Sequence, residues 1–570
     1  MTLLRPPRPA YWLATLAALA FATWRAVAQR WTTDDAFISF RYARNWVDGL
    51  GLVFNAGERV EGYSNFLWTL WSAVGLRLGV DAAAWATAWG IVAYLASVAL
   101  LALVGLAIAR RRDGAAPWLP LAAIGAALNP EWSIFATGGL ETSAFTALLL
   151  AGYALALRGA ERPRELVVAG LVFGAASLTR PDGLLPAAVT GAWLLFFARP
   201  RWTGALLYGT ALAVVVLPHL VWRTAYYGDF FPNTYYAKSA SLAWYSQGWL
   251  YLRLYFERYW ALALGPALCA AAAVRRRRHE ASAPLDPDGA LRLAAAIAAT
   301  YAFYVVRVGG DFMYARLLVP ITPFLLLLLE QGALALFGPA RAAAYALCVA
   351  VLVGSFATPP PVTAESWESG IANEWMYYSR ERVAKTDHAA EVLRRYFDGL
   401  PVRVAFYGDE ARLVYEAGFP VAIESHTGLT DRLVAHQELA ARGRVGHEKA
   451  APLGYLIMKR GVDFTFSGEP MERLSALIPL VIVTFEPGLY GQVLHWNPAL
   501  MQELIRRGAR VPDFPGNLDR TVRQLDRMPI EDVRSEYAKL RRFYFAHVND
   551  PERESVFRRR LGLAPDGAGQ

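Results

Sequence analysis

The chain holds 570 residues, 55% hydrophobic and only 18% charged, where soluble domains carry about 25%. The first 360 residues hold 29 basic and 19 acidic side chains; from Pro361 onward the counts are 28 and 29. Arginine concentrated between greasy runs marks a polytopic membrane protein, and excludes a nucleic-acid binder, a single soluble globule, a coiled coil and a disordered chain.

Apolar runs of spanning character cover residues 11–28, 84–109, 116–135, 140–157, 166–178, 184–198, 203–222, 260–274, 291–306, 317–336 and 342–357, about eleven spans in all. The first follows Arg5 and Arg8 and lacks a small-x-small cleavage pattern, so it is expected to stay as an uncleaved helix. Residues 65–80 are apolar too, but Arg77 and their amphipathic spacing predict a helix lying in the interface. With the N-terminus inside, the basic runs at 110–112, 158–164, 199–201 and 275–278, and Arg341, then share the cytoplasmic face. The C-terminal part falls on the opposite, extracytoplasmic side.

The unusual residues gather in the outer loops. Asp34-Asp35 follow the first span and open a helical pattern at 35–47. One reading is a helix cap; the other is a pair of carboxylates whose repulsion and burial raise one pKa, as a general base requires. In Thr179-Arg180-Pro181-Asp182-Gly183, Arg180 either pairs with Asp182 across a tight turn or clamps a phosphate at the outer leaflet. Lys238, Arg307 and Arg316 sit at comparable depth, with Asp182, Asp229 and Asp311 as internal partners or an anionic ligand as the external one. The aromatic cluster at 226–236 suits stacking on sugars or packing along an isoprenoid chain.

From Pro359-Pro360-Pro361 the composition turns soluble, dividing the chain into a membrane domain, 1–359, and a soluble domain, 360–570. Strand-like runs at 402–407, 421–424, 462–467 and 480–485 alternate with helical patterns such as 387–397 and 501–507, which predicts a small α/β domain. The stretch 535–560 reads as a charged, solvated helical face. Cys269 and Cys348 lie inside apolar runs, away from any thiol cluster, and zinc-hydrolase, P-loop and dinucleotide-binding motifs are absent from the sequence.

Several motifs together resemble the GT-C glycosyltransferases that use polyprenyl-phosphate sugars, in particular the terminal arabinofuranosyltransferase family of the mycobacterial cell wall. They are Asp34-Asp35-Ala36-Phe37-Ile38-Ser39-Phe40-Arg41, Gly51-Leu52-Val53-Phe54-Asn55, Gly57-Glu58-Arg59-Val60-Glu61-Gly62-Tyr63-Ser64-Asn65 and Gly138-Gly139-Leu140-Glu141-Thr142. Arg180-Pro181-Asp182-Gly183, Gly228-Asp229-Phe230-Phe231-Pro232-Asn233-Thr234 and Gly309-Gly310-Asp311-Phe312-Met313 continue the match, followed by Gly428-Leu429-Thr430-Asp431 and Gly446-His447-Glu448-Lys449.

The resemblance implies a GT-C-like polytopic α-helical membrane protein with a C-terminal extracytoplasmic α/β domain, set in a bacterial plasma membrane. Its expected reaction is inverting transfer of a sugar, arabinofuranose by resemblance, from a lipid-linked donor to a cell-envelope glycan or glycolipid. Asp34 would be the base with Asp35 beside it, and Arg180, Lys238, Arg307 and Arg316 would hold the donor phosphate. Asn55, Glu61, Asn65, Glu141, Asp182, Asn233, Tyr235, Asp311 and Tyr314 are the candidate substrate contacts, with His447 and Lys449 for the acceptor. No cofactor is implied beyond the polyprenyl-phosphate sugar itself; a divalent metal is not required, though the spare carboxylates leave room for one. The competing classes are a lipid-linked-sugar transporter, which would show inverted repeats and mid-membrane ionisable residues, and a non-catalytic anchoring protein.

Overall fold

A computed structural model describes residues 9–113, 117–159, 162–197, 201–276, 287–337, 342–366, 369–466 and 473–564. Of the expected cytoplasmic basic residues, Arg199, Arg277, Arg278 and Arg341 lie outside the described residues, as do Arg5, Arg8, the ends of the runs at Ala116 and Ala198, and Ser467. The chain forms two compact units: Met1–Leu52, Tyr63–Ser379 and Ala441–Gly446 make one, and Val53–Gly62, Arg380–Ala440 and His447–Gln570 make the other.

The first unit is helical. It runs α1 (Pro9–Ala28), α2 (Asp35–Val47), α3 (Phe66–Arg77), α4 (Ala82–Asp113), α5 (Leu121–Leu128), α6 (Pro130–Phe135), α7 (Thr142–Gly159) and α8 (Arg164–Thr179). It continues through α9 (Leu184–Phe197), α10 (Arg201–Tyr227), α11 (Asn233–Ala237), α12 (Tyr245–Arg258), α13 (Trp260–Arg276), α14 (Pro287–Arg307), α15 (Thr322–Phe337), α16 (Ala342–Phe356) and α17 (Glu374–Tyr377). Among the described residues six helices are long and apolar enough to cross a membrane, and three shorter apolar ones accompany them. This is a multi-pass helical membrane protein. At 12 residues α3 reaches about 18 Å, too short for a bilayer core of about 30 Å, as an interfacial helix should be.

One expected span is broken, and another begins on a tighter winding before it continues as an α-helix. The run at 116–135 is not one helix: it divides at Asn129-Pro130, where Asn129 is extended and its side chain accepts from Trp132 N at 2.9 Å. Proline forces its predecessor out of the helical region and cannot donate backward, so Asn129 caps a fresh start. The run at 317–336 begins as a 3-10 turn, Arg316–Ile321, before α15. Residues 322–334 of α15 are all buried, which places this helix at the heart of the bundle.

The second unit carries β1 (Arg403–Phe406), β2 (Val421–Glu424), β3 (Phe464–Thr465), β4 (Ile482–Glu486) and β5 (Leu489–Val493) in the order β2-β1-β3-β5-β4. The β2-β1-β3 half is parallel and the β3-β5-β4 half antiparallel. Around it run α18 (Arg380–Phe397), α19 (Ala411–Ala417), α20 (Arg432–Ala435), α21 (Leu453–Met458), α22 (Pro498–Arg506), α23 (Phe514–Gln524), α24 (Ile530–Leu540) and α25 (Pro551–Arg560). All four expected strand regions carry strands; β5 has Gly491 and Gln492 in its middle and lacked a strand signal.

The stretch 535–560 departs from expectation. It is helical, as the end of α24, a π-helical turn at Arg541–Phe545 and α25, but it is not wholly solvated. Tyr537, Leu540, Phe543, Tyr544, Phe545 and Phe557 are buried, and Phe514 packs against Phe543 and Tyr544 at 5.1 and 5.2 Å. Aromatic burial outweighs the charge that dominates the segment's composition.

Candidate active site

Residues of α2, α3 and α14, and of the turns before α7 and after α8, form one buried network. Asn65, at the start of α3, accepts from Ser39 Oγ of α2 at 3.0 Å and Thr69 Oγ1 at 3.1 Å, and donates to Glu141 Oε2 at 2.9 Å. Glu141, just before α7, also accepts from Arg180 Nη1 at 3.1 Å. Arg180 then grips Asp182 with two bonds, Nε to Oδ1 at 3.1 Å and Nη2 to Oδ2 at 2.9 Å, while Tyr301 of α14 donates to Asp182 at 2.5 Å. Burial works against the Arg180 guanidinium, but Asp182, Tyr301 and Glu141 hold it charged, its pKa well above the ordinary value. The internal pairing, one of its two readings, is present.

The Gly309-Gly310-Asp311 turn supplies the second ion pair. Arg316 Nε donates to Asp311 Oδ2 at 2.5 Å, and both residues are buried. Gly310 has φ +72°, and a Cβ there would sit 2.5 Å from the Tyr251 ring; only glycine meets both demands. Ala315 completes the turn at φ 64°.

Two ionisable side chains stand apart from this pairing. Asp35, half-buried at the first turn of α2, and Lys238, half-buried after α11, form no side-chain hydrogen bond or ion pair among the described residues. Burial raises the Asp35 carboxyl above the usual carboxylate range, Arg316, Lys238 and Arg444 opposing and Asp311 assisting. Burial likewise depresses the Lys238 ammonium, with Asp311 and Asp35 pulling the other way. An unpaired cation and an unpaired carboxylate in one electrostatic neighbourhood are costly unless a ligand completes them.

Asp34 is buried, and its carboxylate does not cap α2. Arg307 ends α14, with Nη2 3.5 Å from the Ser241 carbonyl. Asn233 is buried at the start of α11, and Tyr235 stacks on Phe231 with ring centroids 4.2 Å apart. Tyr314 is interior, its hydroxyl donating to the Leu254 carbonyl at 3.2 Å.

The second unit holds the remaining candidates. Asn55 exchanges two hydrogen bonds with the Ala422 backbone, each at 2.9 Å, docking the first-loop segment Val53–Gly62 onto β2; it also donates to Glu58 Oε2 at 3.3 Å, and Glu61 is buried in that same segment. Lys449 is buried and donates to the Ala435 carbonyl at 2.6 Å; His447 lies beside Gly408. The Gly428-Leu429-Thr430-Asp431 motif folds around the Glu424 carboxylate, which accepts backbone N–H bonds from residues 426–429 at 2.7–3.3 Å.

Sequence reasoning missed Glu374, Arg444 and Tyr301. Glu374 and Arg444 fall in the stretch assigned to the soluble domain, yet both pack in the helical unit, where Arg444 Nη2 donates to Glu374 Oε1 at 2.9 Å. No spacing pattern links residues 70 apart. Among the described residues no three His, Cys, Asp or Glu side chains converge as metal ligands would.

No protein-family model matches the chain. In sequence it is 34% identical over 351 residues to a terminal beta-(1->2)-arabinofuranosyltransferase of Corynebacterium glutamicum, covering 55% of this chain and 50% of that protein. It is 30% identical over 364 residues to the protein of that name from Mycobacterium tuberculosis, covering 58% and 57%. The chain thus spans about half the length of the curated relatives it matches. Among solved structures, ArnT from Cupriavidus metallidurans bound to undecaprenyl phosphate overlaps 73% of this chain and 86% of its own, at TM-score 0.49 and 16% identity. An oligosaccharyltransferase from Archaeoglobus fulgidus overlaps 85% and 74%, at TM-score 0.43 and 11% identity.

Proposed function

We infer that the chemistry of this chain follows from its similarity to terminal arabinofuranosyltransferases over more than half its length and from a network of paired charges beside which Asp35 and Lys238 make no side-chain pair among the described residues. We propose that it transfers a sugar, arabinofuranose as in the relatives' name, from a polyprenyl-phosphate donor to a glycan or glycolipid on the extracytoplasmic side. The observation that carries this reading is the exception of Asp35 and Lys238 from the pairing that occupies Arg180 and Arg316.

In the proposed step the acceptor hydroxyl oxygen attacks the anomeric carbon as the bond from that carbon to the phosphate oxygen breaks. The phosphate leaves with the bonding pair, and Lys238 stabilises the charge it gains. Asp35 takes the hydroxyl proton, a contribution typically of ~10²–10⁴ in rate. A single displacement inverts the anomeric centre. We assign the base role to Asp35 within the Asp34-Asp35 pair because Arg316 and Lys238 act on its buried carboxyl. Arg180 and Arg316, already neutralised by carboxylates, serve as a rigid charged frame around the donor head.

The test is release of free polyprenyl phosphate by purified protein from a panel of polyprenyl-phosphate sugars with a synthetic arabinofuranoside acceptor. Asp35→Asn should cut transfer at least ~10²-fold with donor binding retained, whereas Lys238→Ala should weaken donor binding as well. Full transfer by Asp35→Asn removes the base. Donor moved across a vesicle membrane without release of polyprenyl phosphate would make the protein a transporter.

A further inference from the structure

We infer that the sheet-bearing unit holds a second ligand site: a cavity at the carboxyl edge of its parallel strands that takes an amphiphilic anion, an apolar body carrying a phosphate or carboxylate head. This site is independent of the reading of Asp35 as base.

The order of the strands sets the place. The chain leaves β1 for β2 on one flank and then returns to lay β3 on the other, so the connections diverge between β1 and β3. At such a point in a parallel sheet the loops part and leave a crevice outside the carboxyl ends of the strands, where ligands bind. Ala405 and Thr465, paired across β1 and β3 at that end, line a cavity of about 400 Å³, and Ser425 and His426, the two residues after β2, join them. That volume lies within the ~300–1,000 Å³ of small-molecule sites. All of the lining residues belong to this unit.

The walls divide by chemistry. Leu456 and Ile457 of α21, Val481 before β4 and Phe543 of the π-helical turn are buried and give the cavity an apolar interior. Arg473 and Arg542, both exposed, and Lys539, half-buried, put three cations on the same lining. Among the described residues no Asp or Glu lines it. Apolar walls favour an apolar body over water. The exposed guanidinium groups mark the solvent end, where an anionic head is paired without being buried.

The cavity is braced from outside. The segment 473–481 contributes four lining residues, and it is pinned to α24 twice. Lys539 Nζ donates to the Arg473 carbonyl at 3.3 Å, and Ala476 N donates to Glu536 Oε1 at 2.6 Å. Ser475 Oγ accepts from Leu477 N at 3.0 Å and Ile478 N at 2.9 Å, which fixes the turn within the segment. On the opposite wall Trp496 N donates to the Phe543 carbonyl at 2.8 Å. These bonds oppose collapse of the walls onto one another, so the space is formed before a ligand enters.

The experiment is photolabelling of the full-length protein in phosphatidylcholine nanodiscs with decyl phosphate bearing a diazirine on its chain, followed by peptide mapping. Label should fall on residues 450–457, 473–481 or Phe543, and unlabelled decyl phosphate should displace it where decanol and inorganic phosphate do not. Arg473→Gln combined with Arg542→Gln should reduce it about tenfold. Ala450→Trp, at an exposed lining position, should block it, with the thermal transition of both variants unmoved. Label absent from these segments, unchanged in the variants, or displaced equally by decanol or by inorganic phosphate overturns the inference. Label here should survive Asp35→Asn and Lys238→Ala; its loss in either would tie the probe to the proposed donor site and overturn a separate one.

Discussion

Burial lifts the Asp35 carboxyl and lowers the Lys238 ammonium, so each ionised form depends on the charges around it. A raised pKa means more of the acid form at any given pH, and the acid form cannot accept a proton. Transfer should therefore fall as pH drops through a value above the ordinary Asp figure of about 3.9; a rate constant down to pH 4 would contradict this. The sequence placed Asp34, Asp35, Arg180, Lys238 and Arg316 among outer-loop candidates, but left Arg180 divided between internal pairing and phosphate binding. The pairing itself rests on the Asp182 and Glu141 contacts at 2.9 and 3.1 Å, and no spacing rule reports a distance between helices.

At the scale of elements, close helix contact depends on missing side chains. A Cβ at Gly265 of α13 would meet the Leu325 carbonyl at 2.8 Å, and one at Gly332 of α15 would meet Leu268 Cβ at 2.8 Å and Cys269 N at 2.9 Å. Small residues let backbones approach where water gives no hydrophobic drive between helices. Gly332→Val should lower stability by about 1–3 kcal/mol through overpacking, read as an earlier thermal transition in detergent. Gly209→Ala in α10, with nothing within 4 Å of its added Cβ, should leave the transition where it is or raise it. The 3.6-residue periodicity and apolar length located the helices well, whereas the break at Asn129-Pro130 was hidden by an apolar run on either side of the proline.

For the whole molecule, the distribution of arginine predicts an orientation that the fold alone does not carry. In a background lacking Cys269 and Cys348, Arg162→Cys should react with an impermeant maleimide only after the membrane is opened. Lys385→Cys should react in intact cells; both parent side chains are exposed, at 70% and 75%. The reverse pattern would put the Asp35 site on the cytosolic face and end the proposed use of an outer-leaflet donor. The units also interleave along the chain: Val53–Gly62 joins the sheet-bearing unit and Ala441–Gly446 the helical one. Composition, averaged over long windows, reports neither exchange.

Local rules were enough for the membrane class, the strand regions, most of the helix positions and the clustering of acids and cations in loops between them, because hydropathy, periodicity and charge are properties of neighbours in sequence. Folding in three dimensions settled which charges neutralise one another, why Asn55 binds a strand edge, and that Arg444 and Glu374 pair in the helical unit. Coulomb and hydrogen-bond energies depend on separations in space, and residues 70 or 367 apart in sequence acquire those separations only when the chain has packed.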